Sequence, residues 1–193
     1  DICGVDRVFK VGGVQSIAAM AYGTESIPRC DVIAGPGGPY VSAAQRVVRN
    51  DVRIDFPPGP SEGMVLADGY ADPAFVAADL LSEAEHGPDS AAVIVTDSQE
   101  LVEDALREFY QMLDRLDDMR KGFVQENLKK YSGVVLCKDM NEAVAFVNAY
   151  SPEHLVINTR NPEETLKRLT TAGTYCLGPY SPITAGNFAA GPN

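Results

Sequence analysis

The stretch Asp31-Val-Ile-Ala-Gly35-Pro-Gly-Gly-Pro-Tyr40-Val-Ser-Ala-Ala-Gln45-Arg-Val-Val-Arg-Asn50-Asp-Val-Arg-Ile-Asp55 decides the fold. Asp31–Ala34 is a short β-branched run, Gly35–Pro39 a turn, Tyr40–Asn50 an amphipathic stretch, and Val52–Asp55 a second β-branched run. This is strand, helix, strand. Working outward, Arg7–Val11 reads as a strand closed by Gly12-Gly13. Val14–Tyr22 reads as a helix ended by Gly23, with Ile17, Ala18 and Ala21 on one face. The rhythm is that of one half of a doubly wound sheet. Pro57, Pro58 and Pro60 then interrupt it, marking a lobe boundary that divides the chain into 1–62 and 63–193.

The second part continues the alternation. Strands are expected at Met64–Ala67, Ala92–Thr96, Gly133–Cys137, Leu155–Asn158 and Thr174–Leu177. Helices are expected at Ala74–Glu85, Gln99–Met119, Phe123–Tyr131, Met140–Tyr150 and Glu163–Ala172. Strands separated by helices of this length pair mainly in parallel. The fold class is α/β: two Rossmann-like lobes with mainly parallel sheets, the first lobe incomplete.

The 193 residues are 45% hydrophobic and carry 16 Lys plus Arg against 27 Asp plus Glu, a net charge of −11. That is core enough for a globular fold. An acidic chain without a basic stripe points away from nucleic acid and from anionic membrane surfaces, and no run approaches the ~20 apolar residues of a membrane span. A small-molecule substrate stays open. The first residue is not Met, no basic and apolar leader opens the chain, and the end is loop-like, so it reads as a piece of something longer. Cys3, Cys30, Cys137 and Cys176 show no paired spacing, as expected of reduced thiols in a cytoplasm.

Only two histidines exist, His86 and His154. Asp72-Pro73 caps the helix that leads to His86, and Gly87-Pro88 ends it. Glu83 and His86 are i and i+3 on one face. They can share a metal, with tips within about 4 Å, or simply pair at a helix end whose dipole favours a cation. Ser151-Pro-Glu-His-Leu155 puts a Glu-His pair at the mouth of a strand, where open α/β sheets place sites. His154 suits proton abstraction from an alcohol and Glu153 can orient it or activate water; a salt-linked loop pair is the alternative. The expectation is a turn at 152–154, with Leu155 the first buried residue and His154 in a cleft on the side of His86 and Ser61. Gly35-Pro-Gly-Gly38 offers amides to a phosphate or is a plain turn. The glycine-punctuated tail Ser181–Asn193 is a functional loop or a frayed end.

Val11-Gly-Gly-Val-Gln15-Ser-Ile-Ala-Ala, Tyr22-Gly-Thr-Glu-Ser26, Gly35-Pro-Gly, Gly59-Pro-Ser-Glu62, Glu85-His-Gly-Pro-Asp-Ser90, Ser151-Pro-Glu-His-Leu155 and Ala185-Gly-Asn-Phe, in this order, resemble the histidinol dehydrogenase family. The resemblance runs end to end and implies the middle and later part of such an enzyme. Residues 1–62 then match the second half of a dinucleotide-binding lobe, and 63–193 a catalytic, zinc-site lobe truncated at its C-terminal end. The implied activity is a zinc-dependent, cytoplasmic, homodimeric oxidation of L-histidinol by NAD, through an aldehyde to histidine.

By motif, His154 matches the general base and Glu153 the group that activates water. Ser61 matches a substrate contact, Gln15 a dinucleotide contact and His86 a zinc ligand. The family's zinc-binding glutamine is Glu83 here and its aspartate is Asn187, an exchange that leaves the charge of the metal site unchanged. Glu83, His86, His154 and Asn187 also stand where the family meets substrate. Gly38 replaces an asparagine facing NAD. A fourth ligand, a histidine, lies beyond this chain and comes from the partner subunit of the family's homodimer. The exchange keeps open a paralogue acting on another small polar alcohol, such as a sulfonated diol. A truncated, non-catalytic binding or dimerisation module is the reading from a different class.

Overall fold

Five parallel strands, in the order β5-β4-β3-β6-β7, make the main sheet. The computed structural model describes residues 3–55 and 59–190. The chain divides into two units, Asp1–Gly59 and Pro60–Asn193. Of the proline-rich boundary, residues 56–58 lie outside the described residues, as do 191–193 of the tail.

In the first unit α1 (Val14–Tyr22), β1 (Val32–Ile33), α2 (Pro39–Val48) and β2 (Arg53–Ile54) follow the expected order, with β1 parallel to β2. Ile17, Ala21, Ile33, Ala44, Val48 and Val52 form its core. Arg29 holds the connections by donating to the carbonyls of Ala21 and Asp51. The strand expected at Arg7–Val11 is not formed: the segment is irregular and Val8 and Val11 are exposed. An alternating sequence becomes a strand only against a partner that takes up its backbone groups, and among the described residues none pairs with it.

The second unit contains β3 (Glu62–Ala67), α3 (Pro73–Ala84), β4 (Ala91–Thr96), α4 (Gln99–Leu113), α5 (Asp118–Asn127), β5 (Gly133–Leu136), α6 (Met140–Tyr150), β6 (His154–Asn158), α7 (Pro162–Leu166), β7 (Thr174–Leu177) and α8 (Ile183–Ala185). A π-helical segment, Gly186–Ala190, extends α8 where the sequence reads as loop. β4 and β6 are buried throughout, which is why they read as unbroken apolar runs rather than alternating ones. Val65, Ile94, Val156 and Cys176 pack under α3, α4, α5 and α8. Met64, Val95, Leu155 and Ile157 pack under α6 and Leu169. The sheet is thus covered on both faces.

Local chemistry sets the ends. The expected helix Gln99–Met119 stops at Leu113, because Asp117 starts a new helix by accepting from Arg120 N. α7 ends at Leu166 instead of continuing to Ala172. Asn148 takes over the backbone there, donating to Arg168 O and accepting from Thr170 N.

Candidate functional site

Because all strands of the main sheet are parallel, Glu62, Ala91, His154 and Thr174 open on one edge. β3 ends at Ala67 on the far edge and β4 begins again at Ala91 on the near one, so α3 returns the chain and delivers Glu83 to the amino edge. The cluster of interest therefore sits at the amino ends of β3 and β6. The general rule for open α/β sheets favours the carboxyl ends, and there a structural tie stands instead: Asp68 accepts from Arg160 N, whose guanidinium lies over Tyr70.

His154 is the first residue of β6 and pairs with Gly63 on one side and Thr174 on the other. It shares its strand face with Val156, which packs under α3. The expected turn is thus one residue shorter, with His154 already buried at 8% exposure and Leu155 on the opposite face. The turn itself is made by Ser151, the left-handed C-cap of α6 (φ 60°), with Pro152 after it.

Glu83, in the last turn of α3, is 1% exposed and places Oε2 at 3.6 Å from His154 Nδ1. That is just beyond hydrogen-bond length, so both atoms are buried without a formal partner, yet close enough to act on charge. Glu153 Oε1 stands 3.9 Å from the other ring nitrogen, Nε2. Its second oxygen accepts from Glu62 N at 3.1 Å, which aims the carboxylate. The backbone at Glu153 is itself fixed, since Thr174 N donates to its carbonyl and a side chain at Gly173 would collide with that carbonyl.

The imidazole therefore lies between two carboxylates. Interaction with Glu83 raises its pKa above the ordinary 6.5, burial opposes this, and the charges of Glu83 and Glu153 add to the rise. One turn earlier Asp79, also 8% exposed, has its pKa pushed up to about 7 by burial and then by the charge of Glu83. Asp79 was not singled out from the sequence. The available signal was a carboxylate at i−4 from Glu83 inside the apolar run Phe75–Leu81.

The remaining expected residues are placed differently. His86 lies two residues past the end of α3, exposed. Its ring meets neither Glu83 nor any other ion-pair partner among the described residues, so the expected approach of Glu83 and His86 within about 4 Å does not occur. Glu83 is turned onto His154 instead. The His86 loop is nonetheless held: buried Asn127 donates to Ala84 O and Gly87 O and accepts from Ser132 Oγ. Ser61 is half-buried at the same edge, its carbonyl accepting from Ala91 N. Asn187, in the π-helical segment, is half-buried and follows Gly186, which packs beside Cys176. Among the described residues no three His, Cys, Asp or Glu side chains converge as a metal site. In the first unit, Gln15 is exposed in the first turn of α1, its amide folded beside Gly13. Gly38 is the N-cap of α2.

The fold and this cluster define a doubly wound α/β protein with an acid-flanked imidazole at the amino edge of its sheet. The family model described as histidinol dehydrogenase matches residues 1–193, and the chain belongs to that family. It is 45% identical over 193 residues to the histidinol dehydrogenase of Methanothermobacter thermautotrophicus, covering all of this chain and 45% of that protein. It is 50% identical to that of Bacteroides fragilis, covering all of this chain and 44% of the relative. The crystal structure of histidinol dehydrogenase from Elizabethkingia anophelis matches with a TM-score of 0.87 at 40% identity, over all of this chain and 44% of that one. The chain thus spans less than half the length of these relatives. The four cysteines are free, and among the described residues no helix is long and apolar enough to cross a membrane.

Proposed function

We propose that this chain carries the acid–base centre of an NAD-dependent L-histidinol dehydrogenase of histidine biosynthesis. The observation behind this reading is His154 held between Glu83 on Nδ1 and Glu153 on Nε2. A neutral imidazole accepts the hydroxyl proton of the amino alcohol at Nε2, and the buried Glu83 carboxylate stabilises the imidazolium so formed. Glu153, half-exposed and aimed by Glu62 N–H, takes a proton from the water that adds to the aldehyde before the second oxidation. Ser61 and Asn187 contact the substrate. NAD, when bound, receives one hydride from carbon in each oxidation. Gln15 and Gly38 are its contacts on the first unit, where Gly38 presents a bare helix start rather than a side-chain amide.

The residues present fit zinc by donor chemistry. Glu83 carries a second carboxylate oxygen besides the Oε2 turned onto His154, the His86 ring has no ion-pair partner among the described residues, and Asn187 offers an amide oxygen, although Glu83 and His86 would have to draw together to share an ion. Glu83, His86 and Asn187 would hold the ion, with further donors from outside this chain, consistent with a cytoplasmic homodimer. Zinc at this edge would polarise the substrate hydroxyl.

The test is NADH formation by the complete protein with L-histidinol against a panel of other polar alcohols, sulfonated diols included. Two NADH per histidinol is the expected result. Turnover of a diol with none of histidinol would overturn the substrate assignment.

A further inference from the structure

Glu153 is the least enclosed member of the imidazole–carboxylate cluster. It lies just before β6, which begins at His154, and its side chain is half-exposed. A glutamate in such a place ordinarily samples several rotamers. Here one oxygen stands 3.9 Å from His154 Nε2 and the other accepts from Glu62 N at 3.1 Å. The backbone beneath it is held from the neighbouring strand. The turn that enters β7 donates twice to the residues before β6, from Gly173 N to Pro152 O at 3.0 Å and from Thr174 N to Glu153 O at 2.8 Å.

This close approach depends on a missing side chain. A Cβ at Gly173 would stand 2.7 Å from the Glu153 carbonyl oxygen and 3.5 Å from its carbonyl carbon and Cα. The obstacle is main chain, which cannot swing aside as a side-chain tip can. Gly173 is exposed and its φ is not positive, so neither burial nor left-handed backbone calls for glycine. At such a position alanine is ordinarily accepted or mildly stabilising. Only the contact with Glu153 forbids it. Gly133, exposed at the start of β5, is the counterexample, with nothing within 4 Å of its added Cβ.

We propose that Gly173 is a positioning residue for Glu153: its bare Cα lets the entry of β7 lock the Glu153 peptide, so that the carboxylate stays beside Nε2. The proposal rests on the reading of Glu153 as the group that activates water for the second oxidation. A side chain at 173 must break the bond from Thr174 N or push the Glu153 peptide, and the carboxylate moves with it. His154 is held independently, buried and paired with Gly63 across the sheet.

Single-turnover assays of the complete protein, started from histidinol and from the aldehyde, test it with Gly173→Ala. The aldehyde-to-acid step should slow about ten- to a hundredfold, the scale on which a misplaced catalytic group costs rate. The alcohol-to-aldehyde step should stay near the wild-type rate. Gly133→Ala, the same change in open space, should leave both steps as they are. The double variant Glu153→Gln/Gly173→Ala should be no slower with the aldehyde than Glu153→Gln alone, because nothing is left to position. In NMR spectra of the whole protein the Glu62 amide proton should shift and exchange faster in Gly173→Ala, a readout of geometry that does not depend on the chemistry. Should Gly173→Ala fail to fold, Glu62→Pro frees the same carboxylate from its other end, at the first position of a strand where proline is tolerated, and should give the same selective loss. An unchanged Glu62 amide in Gly173→Ala, equal slowing of both steps, or additive losses in the double variant overturns the proposal. A shifted amide with full aldehyde oxidation in Glu153→Gln places the failure in the reading of Glu153 instead.

Discussion

Glu83 occupies the space that any side chain at Gly63 would need. A Cβ at position 63 would overlap the Glu83 stem at Cβ, Cγ and the carboxyl carbon, and Gly63 is also the residue paired with His154 across the sheet. One glycine therefore lets a helix carboxylate lie flat over the strand and reach the imidazole. Gly63→Ala must displace Glu83. Its expected cost is about 1–3 kcal/mol of stability, as for other forced overpacking, read as a lower urea midpoint. The His154 pKa should fall at the same time, read by NMR titration of the metal-free protein. An unchanged His154 titration would show that Gly63 does not set the pair.

Asp79 gives a pH signature. Burial and the charge of Glu83 push its folded pKa from the ordinary 3.8 up to about 7, so between these values the native state holds a proton that the unfolded chain has released. A raised pKa contributes stability that is fully present below the unfolded value and is lost as pH rises through the folded one. Between about pH 4 and 7 this group therefore erodes stability. The shift of about 3 units corresponds to at most about 4 kcal/mol. Asp79→Asn should be close to neutral at pH 4 and stabilising at pH 8, so that the urea midpoint of the metal-free protein varies less with pH. A variant equally destabilised at both pH values would refute the assignment.

Asn127 ties the end of α3 and the His86 loop to the start of α5's exit turn. Replacing it by Leu leaves the Ala84 and Gly87 carbonyls without their buried donor. About 1–3 kcal/mol of stability should be lost. If zinc binds as proposed, its affinity should also fall, because His86 is no longer presented on a fixed loop. Asn127→Asp, which keeps the shape but removes the donor, should show the same loss by chemical denaturation. Wild-type stability in both variants would mean the carbonyls find other partners.

What the sequence made legible was mostly written in caps. Asp72-Pro73 starts α3 where expected because the carboxylate accepts from the amide two residues on; Asp139, not singled out from the sequence, caps α6 in the same way. Glu153 and His154 were readable as a pair because a proline and a buried strand bracket them. The Glu83–His154 contact was not readable, since it joins residues 71 apart (154 − 83) through a glycine whose only signal is its missing side chain. The same spacing that suggested a Glu83–His86 pair fails because α3 ends at Ala84, releasing His86 from the helical surface on which i and i+3 neighbours meet. Asp79 stayed hidden because a carboxylate in an apolar helical run reads as a solvent-facing break until the face it occupies is known.

The proposed mechanism gives His154 and Glu153 different steps. His154 meets Glu153 through Nε2 and Glu83 through Nδ1, so under the proposed mechanism removing the ring removes the proton acceptor of both oxidations. His154→Ala in the complete enzyme should lower kcat by ~10²–10⁴-fold with little change in KM, because a general base acts in the transition state. Glu153→Gln keeps the size of the side chain and its acceptor for Glu62 N, but gives up the charge that activates water. The alcohol-to-aldehyde step needs no water, so it should proceed near the wild-type rate in that variant. The aldehyde-to-acid step should slow by at least tenfold. Single-turnover assays started from histidinol and from the aldehyde resolve the two. Equal slowing of both steps in Glu153→Gln would place this carboxylate behind His154 as an orienting group rather than at the water, and full activity of His154→Ala would remove the imidazole from the mechanism.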